Sequence, residues 1–171
     1  MSALAPYYLY IKFFHIFFVM MWAMSALGAY VFFLRSTIYQ FQDNPGDKKL
    51  EERLVWAYEQ FDKTVILEHI AFPVVLITGL MLFLATGWTL ETPWLFAKLV
   101  IVVGFFIPLE ILDFWIAHVW GARVTRARQE NPDGWNSMRA QHWKFLKTTA
   151  PMIRYSVPVV IFLAVVKPAL W

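Results

Sequence analysis

The sequence predicts an all-α integral membrane protein: a four-helix bundle of two tandem helical hairpins with cytoplasmic helix extensions. Three observations carry this expectation. Four apolar stretches, roughly Tyr8–Leu34, Val65–Ala85, Trp94–Trp120 and Pro151–Leu170, are each long enough to cross a bilayer. A hydrocarbon core of ~30 Å takes about 20 helical residues. Charged residues fall almost entirely between these stretches. And 60% of the 171 residues are hydrophobic, against about 45–50% in a soluble domain.

The elements follow in chain order as helices over about residues 8–34, 49–86, 94–130 and 135–169, forming a single transmembrane domain over residues 1–171. The first apolar run is too long for the core of a signal peptide and lacks a small-residue cleavage site, so it reads as a retained span. Asn44-Pro45-Gly46-Asp47 breaks the chain after it. The segment Lys49–Lys63 has Leu50, Leu54, Ala57 and Phe61 at helical spacing and extends the second helix below the membrane. Loop two, around Thr86–Pro93, is short. The third helix extends through Arg123–Glu130, and Asn131-Pro132-Asp133-Gly134 then turns the chain into an extension of the fourth, Trp135–Lys147. No stretch reads as a strand.

Orientation follows from the loops. Loop one carries Arg35, Lys48, Lys49 and Arg53, and loop three carries Arg123, Arg126, Arg128, Arg139, Lys144 and Lys147. Loop two has only Glu91. The positive-inside rule makes loops one and three cytoplasmic and puts both termini outside, as in a multi-pass protein of a bacterial-type inner membrane. The same rule explains the net charge of +3 without invoking nucleic acid. The partners expected are the lipid bilayer and a second copy or another membrane subunit. The chain has no Cys, so disulfides and thiolate-ligated metals are excluded.

The halves resemble each other. Lys12 aligns with Lys98, Asn44-Pro45 with Asn131-Pro132, Lys63-Thr64 with Lys147-Thr148, and Pro73-Val74-Val75 with Pro158-Val159-Val160, all at an offset near half the chain. A two-helix unit repeated in tandem implies a parallel repeat about an axis along the membrane normal.

Ionisable groups inside lipid cost roughly 2.5–3.5 kcal/mol at mid-helix, so those retained turn inward and mark function by default. They fall at two levels. The outer level holds His15 and Lys98, with Lys12 placed to snorkel. His15, among Phe13, Phe14, Phe17 and Phe18, needs a hydrogen bond or a ligand, and neutral imidazole ligates metals and haem. The inner level holds His69, Glu110, Asp113 and Arg154, with Glu68 and Tyr30 in range. Glu110 and Asp113, three apart, share a helix face. Such a cluster serves a proton relay or a single hard-metal site through His69, Glu110 and Asp113, or it is an ion-pair network that fixes helix register. A di-iron carboxylate site is disfavoured, since no Glu-x-x-His occurs. His118 and His142 fall near the cytoplasmic boundary, where a histidine needs no ligand, although a haem edge could reach His118.

Lys12-x-x-His15 with Trp22, the Pro73 to Gly79 stretch, Trp94-Leu95-x-x-Lys98-Leu99, Ala150-Pro151 and Val165-Val166-Lys167-Pro168 resemble the HemJ-type protoporphyrinogen oxidase group and the related DUF2269 and CopD-like membrane proteins. The likeness touches all four spans through short, scattered motifs. It implies a four-helix membrane scaffold, bound haem b, and matches of His15 and Lys98 to the first-helix histidine and third-helix lysine. The group's polar pairs before the helix 2 proline, in helix 3 and before the helix 4 proline are replaced here by Val65-Ile66, Leu109-Glu110 and Thr148-Thr149. The resemblance thus implies the scaffold with different chemistry.

The expected function is that of a b-type haem protein, redox or porphyrin-linked, with His15 as axial ligand, His69 or His118 as a second, and Lys98 near the cofactor. The alternatives are a proton- or metal-handling bundle built on the inner cluster, and an accessory subunit or assembly factor of a larger membrane complex.

Overall fold

A computed structural model describes residues 3–170, apart from the side chain of residue 26. Among the described residues there is no strand. Four helices are each long and apolar enough to cross a membrane: α1 (Ala5–Asp43), α2 (Lys48–Thr86), α3 (Pro93–Arg126) and α4 (Pro132–Val166). At 34 to 39 residues each is longer than the roughly 20 needed to cross a bilayer core. Their outward faces carry large apolar side chains in the open, Phe32 at 78% and Val165 at 74% exposure among them. Such a surface suits lipid rather than water.

The helix ends are set by local chemistry. Asp47 caps α2, its Oδ1 accepting from the Lys49 and Leu50 amides at 2.8 and 3.4 Å. Asn131 caps α4 by accepting from the Gly134 amide at 2.8 Å, and Pro132 follows in the first turn, where its missing N–H is no loss. Gly87 closes α2 in the left-handed conformation, φ 68°, which glycine adopts freely. Four boundaries differ from the expected ones. α1 runs on past residue 34 to Asp43, because Ser36–Asp43 remains helical and buries Thr37 and Ile38. α3 stops at Arg126 rather than near 130. α4 begins at its proline, three residues early, and ends at Val166.

The chain divides into two compact units, Met1–Trp88 and Thr89–Trp171. In the first, α1 and α2 lie side by side. Trp22 meets Phe72 (ring centroids 5.5 Å apart), Phe33 meets Trp56 (6.1 Å), and Arg53 donates to Gln40 (3.3 Å). Phe61, Val65 and Leu34 are nearly fully buried there. In the second, α3 and α4 pair in the same fashion, from Trp94 and Lys167 at one end to Gly121 and Met138 at the other.

Three stretches wind as π-helix: Tyr30–Arg35 in α1, and Val102–Phe106 and Trp115–Gly121 in α3. Each widens the turn and rotates the residues that follow. Pro108, two residues past the second of these stretches, has no amide to close an ordinary turn. Gly121 ends the third. A Cβ there would sit 2.5 Å from the Ile116 carbonyl oxygen, so backbone must move. Gly121→Ala is expected to destabilise the protein by about 1–3 kcal/mol, read as a lower thermal midpoint in detergent. A neutral result would show that the wide turn relaxes without cost.

Candidate functional site

Two pairings of polar side chains stand out, one in each unit. In the first unit, His15 comes from α1 and meets Thr78 of α2, with Nδ1 3.0 Å from Oγ1. The Thr78 hydroxyl has one proton, and it goes to the Val74 carbonyl at 2.6 Å, with the Val75 carbonyl 3.2 Å away. The hydroxyl therefore accepts from His15, which fixes the proton on Nδ1 and the ring's lone pair on Nε2. Gly79 allows the approach: a Cβ there would lie 3.3 Å from His15 Cε1. Thr78 is buried and His15 half-buried. Beside His15 in sequence, Phe13 stacks on Phe17 (6.4 Å) and meets Phe14 edge-on (5.5 Å), while Phe17 meets Phe18 edge-on (5.4 Å); Phe13, Phe14 and Phe17 are exposed on the outer face of α1. Thr78 and Gly79 were not among the expected site residues; Gly79 entered only within a motif. The signal was the Thr-Gly pair in an otherwise aliphatic run.

His69 lies on the same helix as Thr78 but nine residues away. That is about 13 Å along the axis at ~1.5 Å per residue, so His69 does not join the His15 pair. Glu68 beside it is buried at 4% exposure, while His69 is half-buried.

In the second unit, Glu110 and Asp113 are both buried, at 5% and 7% exposure, on one face of α3. The group brought to Asp113 from α4 is not Arg154, which is exposed, but His142. Its Nε2 is 4.0 Å from Asp113 Oδ1. His142, expected near the surface, is 1% exposed. It belongs to the stripe Trp135, Met138, His142, Leu146, Thr149 and Ile153, all buried and spaced by three or four. That periodicity was readable in the sequence. His118 is half-buried in the π-helical stretch 115–121 and packs on Phe114, ring centroids 5.3 Å apart. Lys98 is half-buried, with Nζ 5.8 Å from the Trp94 ring centroid.

Among the described residues, no three His, Asp or Glu side chains are grouped to hold a metal ion. The arrangement in the first unit offers one imidazole set against a buried threonine hydroxyl. That in the second offers a buried imidazole–carboxylate pair. Comparisons with protein-family models, characterised proteins and solved structures find no match to this chain.

Proposed function

We propose that this chain is a membrane-embedded b-type haem protein, redox or porphyrin-linked, of two tandem hairpins in a bacterial-type inner membrane. One observation carries the reading: His15 Nδ1 lies 3.0 Å from the Thr78 hydroxyl, whose own proton goes to the Val74 carbonyl at 2.6 Å, which favours the Nδ1–H tautomer of His15. A ligating histidine characteristically donates its other ring N–H to an acceptor that fixes its orientation and raises its basicity. The side chains at this position suit such a group. His15 supplies Nε2, Thr78 orients the ring, and Gly79 leaves it room. Haem bound there would supply one-electron redox chemistry at its iron, tuned by this ligand and its hydrogen bond.

The test is an absorption spectrum with metal analysis of the detergent-solubilised full chain, before and after haemin is added. A Soret band with stoichiometric iron is the expected result. A protein that stays colourless after haemin is supplied would end the proposal.

A second reading concerns proton handling in the second unit, favoured by the approach of Asp113 to the fully buried His142. A carboxylate and an imidazole in a low-dielectric site hold protons as a pair rather than singly. Glu110, on the same face, extends the path by one helical turn.

A further inference from the structure

The two units share a helical frame but differ in surface charge at one end. Buried positions fix the register: Tyr58 and Phe61 of α2 match Trp143 and Leu146 of α4, and Pro73 matches Pro158. The residues beside them change sign. Lys144 stands where the first unit has Glu59, and Lys147 where it has Asp62. The totals diverge as well. Residues 30–64 hold five basic and six acidic side chains, a net −1, whereas residues 115–149 hold six basic and two acidic, a net +4.

The positive-inside rule does not demand this excess. It counts Lys and Arg, and acidic residues contribute little to it. By that count the two stretches are nearly equal, five against six. The second unit stands apart by shedding acids and by placing bases at two of their positions. Contacts made within the stretch leave its net charge unchanged.

The bases are presented outward. Arg123 and Arg126, three apart on α3, are exposed, and so are Lys144 and Lys147, three apart on α4. Such spacing puts each pair on one helix face. Both pairs belong to one end of the unit, where Asp113 approaches His142 and a Cβ on Gly121 would lie 3.9 Å from Met138 Sδ. Before the arginines come two stacked indoles, Trp115 and Trp120, with ring centroids 5.7 Å apart and Trp115 50% exposed. Tryptophan beside an apolar span settles at headgroup level. Arg123 follows Trp120 by three residues, about 5 Å along the axis, which is within the headgroup layer of roughly 5–8 Å on each side of the hydrocarbon. On α4 the long side chains of Lys144 and Lys147 precede the apolar run from Pro151 and reach the same layer by snorkelling. An uncompensated charge of this size attracts anionic headgroups lying within a Debye length of ~8 Å. A soluble acidic partner would meet the same field, but the exposed indole continuous with the apolar face favours lipid.

We propose that the basic end of the second unit, with Arg123, Arg126, Lys144 and Lys147 as its exposed groups, is a docking surface for anionic phospholipid headgroups. The surface acts through its summed charge. The inference is independent of haem binding.

The test is electron spin resonance of the full chain reconstituted in phosphatidylcholine vesicles, with spin-labelled phosphatidylglycerol or phosphatidylcholine as the probe. The fraction of label immobilised on the protein reads relative affinity. Phosphatidylglycerol should be favoured roughly two- to fivefold. That preference should vanish in ~1 M salt, where the Debye length falls to about 3 Å. Lys144→Glu/Lys147→Asp installs the first unit's own residues at the matched positions and should remove most of the preference. Arg123→Gln/Arg126→Gln, which leaves α4 untouched, should reduce it about twofold. Lys48→Glu/Lys49→Glu changes the net charge of the chain as much as the first variant does. It falls in the first turn of α2, where acidic groups suit the helix dipole, and should leave the preference standing. Equal affinity for the two lipids in the wild type would assign the charge to a soluble acidic partner and overturn the proposal. A preference that survives Lys144→Glu/Lys147→Asp or high salt would overturn it too, as would equal loss in Lys48→Glu/Lys49→Glu.

Discussion

His15→Ala should abolish haem retention, and Thr78→Val should weaken it roughly 10–100-fold, the usual effect of removing the group that orients a ligating histidine. Valine keeps the shape of threonine and deletes the oxygen that accepts from Nδ1. The ring then loses both its fixed tautomer and its fixed direction. The cost to folding is small by comparison, about 1 kcal/mol for one hydrogen bond, so the variant should remain assembled and lose affinity selectively. Thr78→Ser restores the hydroxyl and should restore binding. Gly79→Ala provides a graded control. Its new methyl would lie 3.3 Å from Cε1, which pushes the imidazole by a few tenths of an ångström without removing any polar group. Haem titration followed at the Soret band reads all four variants. Wild-type affinity in Thr78→Val would detach the hydroxyl from the site, and a full Soret band in His15→Ala would remove His15 as ligand.

Much of the architecture was legible because lipid imposes few solutions. Long apolar runs must be helices, since nothing else satisfies the backbone within one segment. The turns at Asn44-Pro45-Gly46 and Asn131-Pro132 were marked by residues that cannot continue a helix. What escaped was local. Arg35 looked like the end of the first helix, yet Thr37 and Ile38 keep a buried face beyond it. The π-helical turns leave no compositional trace, since they are set by how neighbouring turns pack. His142 was hidden by its charged neighbours Arg139 and Lys144, although its spacing from Met138 and Leu146 put it on the inward stripe. Arg154 misled in the opposite direction. It lies one residue past Ile153, off that stripe, and its long side chain reaches the surface.

The internal repeat is stronger in three dimensions than in sequence. At an offset of 85 residues, buried positions of α2 coincide with buried positions of α4: Tyr58 with Trp143, Phe61 with Leu146, Val65 with Ala150, Thr78 with Leu163. Pro73 and Pro158 keep the same offset, and so do the first residues of the π-helical stretches beginning at Tyr30 and Trp115. Lys12 over Tyr8 and Lys98 over Trp94 repeat one cation–aromatic contact, at 5.9 and 5.8 Å. Against this shared frame the differences are informative. The position of Thr78 is leucine in the second unit, so the oriented-imidazole site belongs to the first unit only. The positions of Asp113 and His142 are Gly28 and Ala57 in the first, so the buried pair belongs to the second. Each unit keeps the packing and carries its own polar chemistry.

That comparison gives the Asp113–His142 pair a sharp energetic expectation. A matching unit folds with small residues at both positions, so the pair is not demanded by packing. Removing one partner is another matter, because the survivor stays in a site with almost no water: His142 is 1% and Asp113 7% exposed. Asp113→Ala and His142→Ala should each cost about 2–4 kcal/mol, the range for stranding a buried polar or charged group. Asp113→Ala/His142→Ala should cost less than the two added together, by roughly 1–3 kcal/mol of coupling. Equilibrium unfolding in mixed micelles measures the cycle. Additive losses would show that the 4.0 Å approach carries no energy. A pair that only fixes helix register would show the coupling and nothing else.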